Sequence, residues 1–172
     1  MDVSTEFCGP VTSIEESARP AEPDDIEVID ALVDYAIAEI EPRRGGALWA
    51  RREARARPAA DALRRALVDD DHLLVVGTID DSVVGHASVN REVLRDDTVL
   101  AVVADLYVLP DARGVGVGEA MMGLCLDWAR RNGCIGLDSM ALPGDRHTKN
   151  FFESFGLVAR AIIVHRRLSE HE

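Results

Sequence analysis

Residues 105–131 read Asp-Leu-Tyr-Val-Leu-Pro-Asp-Ala-Arg-Gly-Val-Gly-Val-Gly-Glu-Ala-Met-Met-Gly-Leu-Cys-Leu-Asp-Trp-Ala-Arg-Arg. An apolar strand leads to Pro110, and in the turn that follows glycine occupies alternate positions at Gly114, Gly116 and Gly118. After the turn, apolar residues recur at helical spacing, which predicts that a helix begins there. This strand, glycine turn and helix decide the fold, because the remaining predicted elements are arranged around them.

The glycine turn is predicted to bind an anion. Three glycines at alternate positions let the backbone approach a ligand closely and point successive N–H groups in one direction. The helix that follows adds the positive end of its dipole. Arg113, directly before the first glycine, adds a formal positive charge. A phosphate group is the anion that this combination favours.

The length of 172 residues and the ordinary composition predict a single domain with an ample core. We expect residues 1–10 to be a flexible lead-in and residues 11–172 to form the domain. No apolar run approaches the ~18 residues of a membrane span, and residues 1–6 lack the apolar centre of a secretory signal. These features predict a cytoplasmic protein without a membrane partner.

The net charge of −12 argues against a nucleic-acid partner, which requires basic stripes. The same negative field favours a cationic partner over an anionic one. Much of the acid lies in short clusters, which we expect to be turn residues and helix caps rather than a site. The clusters are Asp24-Asp25, Asp69-Asp70-Asp71, Asp80-Asp81 and Asp96-Asp97.

The cysteines predict neither a metal site nor a covalent catalyst. Cys8, Cys125 and Cys134 are odd in number and lack the spacing of metal ligands. Cys125 falls on the apolar face of the predicted helix, where we expect a buried, reduced thiol.

Ahead of the glycine turn, the pattern predicts a strand, two helical segments and an antiparallel meander. The first strand lies within residues 11–19, and Pro23 suits the first position of a helix whose apolar stripe extends to Ile40. The second helical segment, residues 47–68, is interrupted by Pro58. The meander consists of strands at residues 72–79, 83–92 and 98–108.

After the glycine turn and its helix, we predict a strand, a helix and a closing strand. Residues 134–142 form a strand parallel to the one before the helix, as expected for a βαβ unit. Residues 147–155 form the short helix, and residues 157–168 form the closing strand. The expected fold is therefore α+β, in α/β/α layers around a mixed, mostly antiparallel central sheet.

Arginines are concentrated in one part of the chain, against its overall acidity: Arg43, Arg44, Arg51, Arg52, Arg55, Arg57, Arg64 and Arg65. Two interpretations remain open. The arginines can form the solvated face of a helix, or they can belong to a mobile lip over a ligand, where they hold phosphate or an acidic substrate.

Two well-known phosphate-binding loops fit the glycine turn poorly. A dinucleotide-binding loop requires G-x-G-x-x-G after the first strand of a βαβ series, whereas here Glu119 stands at the third glycine position and the turn lies late in the chain. Asp138 does lie about as far downstream as a ribose partner would. A Walker loop would need Gly-Lys followed by Ser or Thr, which the sequence lacks.

The turn and its surroundings resemble the acetyl-CoA loop of the GCN5-related N-acetyltransferase (GNAT) superfamily. That family's signature, Arg/Gln-x-x-Gly-x-Gly/Ala, is matched by Arg113, Gly116 and Gly118, after a strand that ends Leu-Tyr-Val-x-Pro. Residues 152–157, Phe-Glu-Ser-Phe-Gly-Leu, resemble the family's Tyr-Glu-Lys-Leu-Gly-Phe. The resemblance extends over residues 14–168 and includes the order of elements predicted above.

The resemblance implies that acetyl-CoA is the acetyl donor and that no metal is involved. Backbone groups of Leu106, Tyr107 and Val108 would pair with the pantetheine arm as if it were another strand. The strands before and after the central helix would splay apart, leaving a slot for the thioester. Beside Arg113, the amides that would wrap the pyrophosphate are those of Gly114, Val115, Gly116, Val117, Gly118 and Glu119.

The position of the family's general acid is altered in this sequence. Phe152 stands where the family has a tyrosine, and phenylalanine cannot donate a proton. Asp145 replaces the family's frequent Asn seven residues earlier, and Thr148 replaces its usual Ala. Other candidate donors nearby are His147, Tyr107 and Ser139, with Asn150 as a candidate for a shifted equivalent of the missing Asn.

On the acceptor side, Asp105 resembles an acid that meets the amine in the family's polyamine acetyltransferases, although the Glu before it is Ala104 here. Asp105 is therefore our candidate amine anchor or base. The alternative is a structural acid that faces solvent or an arginine. Asp138 is a second candidate, and His86 is expected to be an ordinary surface or core histidine.

Together, these features predict an acetyl-CoA-dependent N-acetyltransferase. Its acceptor would be a primary amine, of a cationic small molecule or of a lysine or protein N-terminus, and transfer would be direct because no nucleophilic cysteine is suitably placed. The altered acid position supports an alternative, a non-catalytic acyl-CoA sensor or assembly module. Edge strands in this family often pair, so a homodimer is a further expectation.

Overall fold

The computed structural model describes residues 15–168. The predicted lead-in, residues 1–10, lies outside the described residues, as does the predicted start of the first strand at residues 11–14.

The elements follow the predicted order up to the last one. In chain order they are β1 (Glu16–Pro20), α1 (Ile26–Ile40), α2 (Gly46–Arg52), α3 (Ala60–Leu67), β2 (His72–Ile79), β3 (Ser82–Val93), β4 (Val99–Val108), α4 (Val117–Arg131), β5 (Leu137–Asp138) and α5 (Arg146–Ser154). Short 3-10 turns at Pro23–Asp25 and Pro110–Ala112 precede α1 and the glycine turn.

The five strands form one mixed sheet in which sequence neighbours are spatial neighbours, in the order β1-β2-β3-β4-β5. The first four are antiparallel, and β5 runs parallel to β4 after the α4 crossover. Asp80 and Asp81 link β2 to β3, and both have positive φ, 46° and 65°. A two-residue hairpin turn needs this conformation, and Asp tolerates it, so the turn role predicted for this acidic cluster is confirmed.

An ion pair between Arg19 and Asp25 lies at the start of helix α1. The carboxylate of Asp25 accepts hydrogen bonds from the Glu22 N–H (2.7 Å) and from both terminal nitrogens of Arg19 (2.6 and 2.9 Å). The hydrogen bond from Arg19 is the main reason why the pKa of Asp25 is lowered. The helix then buries its apolar stripe, as its spacing predicts.

The sheet is packed on both faces, as the α/β/α layering predicts. Helix α4 covers one face, where Met121 and Cys125 are fully buried against Val75 and Val89. Helices α1 and α3 cover the other face, with Ile29 and other apolar side chains in the core. Burial raises the pKa of the Cys125 thiol to about 12, so the predicted inert core cysteine is confirmed.

Two predicted strands differ from the structure. The strand expected at residues 134–142 is much shorter. Its ladder with β4 covers Leu137 and Asp138, backbone hydrogen bonds to β4 precede it at Ile135 and Gly136, and the chain leaves β4 after Asp138. The closing strand expected at residues 157–168 is wrong: this segment has no regular secondary structure and forms no ladder, and Val158 and Val164 are more than four-fifths exposed. The physical reason is that so short a β5 offers little edge on which a further strand can pair.

Within residues 15–168, no helix is both long and apolar enough to cross a membrane.

Candidate active site

A cleft opens where β4 and β5 separate. The two strands pair only at Ala101–Leu137 and Val102–Asp138, after which β4 continues to Val108 and the other chain segment diverges. The resulting cavity has a volume of about 520 Å³. The second half of β4 lines one side and residues 139–142 line the other, with α1, the start of α4 and α5 closing it.

One edge of β4 faces this cleft without a strand partner. The Leu109 N–H donates to the Val84 carbonyl on β3 (2.9 Å). Because backbone groups alternate along a strand, those of Val108 and Leu106 point to the open edge and those of Tyr107 point to β3. The orientation of Val108 is supported by its carbonyl, which accepts a hydrogen bond from Arg113 Nε (2.8 Å).

The glycine turn places unpaired amides at one end of the cleft. Gly116 has φ of 106°, a left-handed conformation that disfavours a side chain, and α4 begins at the next residue. The first hydrogen bond across the helix start runs from the Ala120 N–H to the Gly116 carbonyl (2.9 Å). The N–H groups of Val117, Gly118 and Glu119 therefore have no intrahelical acceptor and can bind an anion.

Gly118 keeps the space between the turn and α5 open. A Cβ atom at this position would lie 3.3 Å from the Phe151 ring, which already narrows the cleft there. Glycine thus allows a ligand to approach the helix amides closely.

Arg113 is paired within the protein. Its two terminal nitrogens donate to the two carboxylate oxygens of Glu39 on α1 (3.0 and 2.6 Å), and its guanidinium lies 5.4 Å from the centre of the Tyr107 ring. The hydrogen bond from Arg113 lowers the pKa of Glu39 and, reciprocally, raises that of Arg113. The positive charge of Arg113 at the cleft is therefore already balanced by the carboxylate of Glu39.

Glu39, which the sequence reasoning missed, is the centre of this polar network. Its carboxylate also accepts from the Tyr107 hydroxyl (3.1 Å) and from Arg43, and Arg43 donates in turn to Asp145 (2.7 Å). The network joins the glycine turn, α1 and the start of α5 across the mouth of the cleft. The i, i+4 spacing of Glu39 and Arg43 was the available signal, although it predicts only a local pair.

Asp105 lies at the base of the cleft in an ion pair with Arg55, from the segment between α2 and α3. Asp105 Oδ2 accepts from Arg55 Nε (2.6 Å) and from Ser88 Oγ (2.6 Å), and Arg55 Nη2 donates to the same Ser88 oxygen (2.9 Å). Ser88 is the cross-strand partner of Asp105, and a bulge at Ala104 follows directly in the pairing register. In this conformation Asp105 is therefore an acid that faces an arginine, which is the alternative to a role as amine anchor or base.

Burial by itself raises the pKa of Asp105, but the electrostatic interactions with His86 and Arg55, together with the hydrogen bonds from Ser88 and Arg55, outweigh it and hold the pKa below its ordinary value. Asp105 is therefore ionised. A carboxylate with a lowered pKa holds a cation well and accepts a proton poorly, which favours the role of anchor over that of base.

His86 shares the sheet face of Asp105 and Ser88 and lines the same cavity. It is fully buried, as expected of a core histidine, but neither ring nitrogen has a hydrogen-bond partner among the described residues. Burial lowers its pKa, so the imidazole is neutral. A buried polar group without a partner is uncommon and indicates that a ligand or water belongs beside it.

The residue at the altered acid position is buried in this structure. Phe152 is buried in the core that α4 forms with the sheet, edge-on to Phe151 at 5.6 Å between ring centres. Asp145, at the position of the family's Asn, caps α5 by accepting from the Thr148 N–H (3.0 Å). Three of the candidate donors line the cavity, namely Tyr107, Ser139 and His147.

Two candidates lie elsewhere. Asn150 does not line the cavity, and Asp138 is held by Arg160, whose Nε lies 2.8 and 3.0 Å from its two carboxylate oxygens. Neither faces the reactants that the cleft would hold. No group of three or more His, Cys, Asp or Glu side chains within residues 15–168 is arranged to hold a metal ion.

A model of the acetyltransferase (GNAT) family matches residues 30–157, which include most of α1, the sheet from β2 onward, the glycine turn and α5. The chain belongs to the GNAT acetyltransferase family. No curated protein matches it.

Solved structures share this GNAT fold at low sequence identity. The aminoglycoside acetyltransferase AAC(6')-Iy, in complex with a CoA-linked acetylneamine analogue, superposes with a TM-score of 0.69 at 16% identity, over 90% of this chain and 99% of that one. A tetramutant of the BH1408 protein of Bacillus halodurans gives 0.74 at 14% identity (88% and 99% covered). A putative acetyltransferase of Agrobacterium tumefaciens gives 0.67 at 19% identity (88% and 99% covered).

In this GNAT chain, most residues predicted to hold the cofactor line one side of the cleft. These are Leu106, Tyr107, Val108, Arg113, Gly114, Gly118 and Glu119. The other three are not among the residues that line the cavity, although α4 begins at Val117, whose N–H has no intrahelical acceptor. Val115 is partly exposed, Val117 is buried in the core, and Gly116 faces Glu16 on β1.

Proposed function

We propose that the protein transfers an acetyl group from acetyl-CoA directly to a primary amine of a cationic acceptor. The observation that carries the proposal is the cleft between β4 and β5, with the unpaired amides of α4 at one end and the ionised Asp105 on its wall. One end suits the phosphates of a coenzyme and the other suits an amine. The space between them suits a thioester.

The donor would bind along β4. The N–H groups of Val117, Gly118 and Glu119 would hold the pyrophosphate, and the open backbone edge at Leu106 and Val108 would bond the pantetheine amides. The CoA-linked analogue in the AAC(6')-Iy structure supports this class of ligand for the fold. Because Glu39 balances the charge of Arg113, the amides rather than the arginine supply most of the attraction for phosphate.

The acceptor would bind on the Asp105 side. An ionised, buried carboxylate attracts an ammonium group, and the net charge of −12 draws cations towards the protein. Structural relatives described as aminoglycoside acetyltransferases, one of them in complex with sisomicin, support an amino-group acceptor. An amine is therefore the acceptor class that we propose, and activity against a panel of amines would identify the acceptor.

The chemistry requires a neutral amine and a thioester held at reacting distance. The amine nitrogen attacks the thioester carbonyl carbon and the carbon–sulfur bond breaks. The proton that the attacking nitrogen loses as the amide forms passes, directly or through water, to the departing coenzyme A thiolate. The neutral imidazole of His86 can accept the proton that the ammonium releases, and ionised Asp105 on the same face stabilises the imidazolium. Phe152 gives no proton to the thiolate, so we expect moderate turnover.

The second candidate is an acyl-CoA sensor without catalysis, and the apolar Phe152 favours it. One experiment separates the two. Melting is recorded with about 1 mM acetyl-CoA, and thiol release is recorded with polyamines, aminoglycosides, amino acids and lysine peptides. The enzyme predicts a raised melting temperature and amine-dependent thiol release, whereas the sensor predicts the first without the second.

The role of Asp105 has its own test. Asp105→Asn keeps the shape and the Ser88 contact but removes the charge, so we expect kcat/KM for a cationic amine to fall about a hundredfold while acetyl-CoA binding is kept. Full activity between about pH 6 and pH 9 would exclude Asp105 as anchor or base. A cytoplasmic location and a homodimer remain predictions.

A further inference from the structure

Arg55 is ion-paired with Asp105 inside the cleft. It belongs to residues 53–59, which join α2 to α3, and it reaches across to β3 and β4. Its side chain is 17% exposed and that of Asp105 is 14% exposed, so the two charges are largely removed from water. Both groups line the same cavity.

The contacts of Arg55 are those that a bound ammonium would make. A cation at this place donates to Asp105 Oδ2 and to Ser88 Oγ, as Arg55 Nε and Nη2 do at 2.6 and 2.9 Å. Every described hydrogen bond to the Asp105 carboxylate falls on Oδ2. The site is therefore already built, with a side chain of the protein as its occupant.

The proposed acceptor and Arg55 compete for the same position. Two cations cannot both pair closely with one buried carboxylate without repulsion, whereas an exchange of one cation for another leaves the charge balanced. The arginine comes from an irregular connection rather than from the sheet, so it can withdraw without disrupting the strands that carry Asp105.

We propose that Arg55 is an internal substitute for a cationic group of the acceptor, which displaces it from Asp105 and Ser88 when it binds. The inference rests on the proposed function and refines its substrate class. The group that replaces Arg55 must stay charged to balance Asp105, whereas the reacting amine must be neutral. The acceptor therefore carries at least two basic groups, one that pairs with Asp105 and one that receives the acetyl group.

Arg55 thereby acts as a specificity residue. A neutral or acidic acceptor has no cation that could replace Arg55 beside Asp105, so Arg55 stays in place and narrows the cavity. This interpretation reverses the earlier alternative in which the arginines of this region hold phosphate or an acidic substrate. In that alternative Arg55 binds the acceptor, and its removal weakens binding.

The first test needs no turnover. Melting temperatures of the wild type, Arg55→Ala and Arg55→Gln are measured with and without about 10 mM methylguanidinium, with Arg51→Ala as control because Arg51 is exposed on α2 and does not line the cavity. We expect Arg55→Ala and Arg55→Gln to melt lower and to be stabilised by methylguanidinium, and the other two proteins to be unaffected. An equal shift in melting temperature for all four proteins would overturn the inference. If Arg55→Ala does not fold, Arg55→Gln provides the same comparison.

The second test compares acetyl transfer to spermidine, which has several basic groups, with transfer to butylamine, which has one. We expect kcat/KM for spermidine to exceed that for butylamine, and Arg55→Ala to lower KM for spermidine about tenfold through loss of the competing cation. A raised KM in Arg55→Ala would overturn the inference in favour of an arginine that binds the acceptor. If the wild type neither binds acetyl-CoA nor releases thiol, the proposed function fails, while the methylguanidinium result still shows whether a free cation can take the place of Arg55 beside Asp105.

Discussion

Arg113 Nη2 lies 2.6 Å from Glu39 Oε2, so the arginine of the glycine turn is held by α1. Replacement of Glu39 with Gln leaves the positive charge of Arg113 unbalanced at the mouth of the cleft. Because this charge attracts phosphate, we expect the Kd for coenzyme A to fall about threefold. Isothermal titration at low salt measures the change, and added salt should reduce it.

Glu41→Gln is the control for this change, since Glu41 is exposed just beyond the end of α1. It removes the same charge without freeing Arg113. An equal effect of the two substitutions would show that net charge alone is responsible, and weaker binding in Glu39→Gln would contradict the balance described for Arg113.

His86 makes stability depend on pH. Its folded pKa lies below its ordinary value of 6.5, because burial disfavours the imidazolium. Below pH 6.5 the unfolded chain binds more protons at this residue than the folded chain does. The contribution of neutral His86 to the free energy of unfolding is therefore fully present above pH 6.5 and is lost as the pH falls below it.

Urea unfolding at about pH 7.5 and pH 5.5 measures this loss. We expect His86→Leu to lose about 1 kcal/mol less than the wild type between these two conditions. His165→Gln, which removes an exposed histidine, should behave like the wild type. A loss in His86→Leu as large as in the wild type would show that His86 does not titrate as described.

Phe152→Tyr restores a proton donor at the position where the resemblance expects one. Phe152 lines the cleft, so a hydroxyl on its ring can reach the leaving thiolate. We expect kcat to rise up to about tenfold with little change in KM. Phe155→Tyr is the control, because Phe155 contacts the same aromatic cluster but does not line the cavity. No gain in kcat would mean that thiolate protonation does not limit the rate.

The local parts of the fold were predictable from sequence. The helix after the glycine turn, the hairpin at Asp80–Asp81 and the inert Cys125 depend on spacing and turn chemistry, which neighbouring residues determine. The end of the sheet was not predictable in the same way. Residues 157–168 have strand-like composition, but a strand forms only where a partner edge exists, and β5 is two residues long.

The site was predictable where it is built from one segment and not where distant segments meet. Gly114 and Gly118 were found because the turn and helix are contiguous. Arg55 lies 50 positions before Asp105, and Glu39 lies 74 before Arg113, so sequence spacing gave no indication of either pair. The same limit applied to His86. The sequence placed it on a strand, but its lack of a hydrogen-bond partner depends on tertiary packing and could not be predicted.

The central claim is that acetyl-CoA binds in the cleft with its phosphates at the start of α4. Isothermal titration of acetyl-CoA into the wild type, Gly118→Val and Gly123→Ala tests it most directly. A side chain at position 118 enters the cleft towards Phe151, whereas one at Gly123 on the same helix meets no atom within 4 Å. We predict saturable binding to the wild type and to Gly123→Ala, and binding at least about a hundredfold weaker to Gly118→Val. Absence of binding to the wild type, or equal binding to a folded Gly118→Val, would contradict the account.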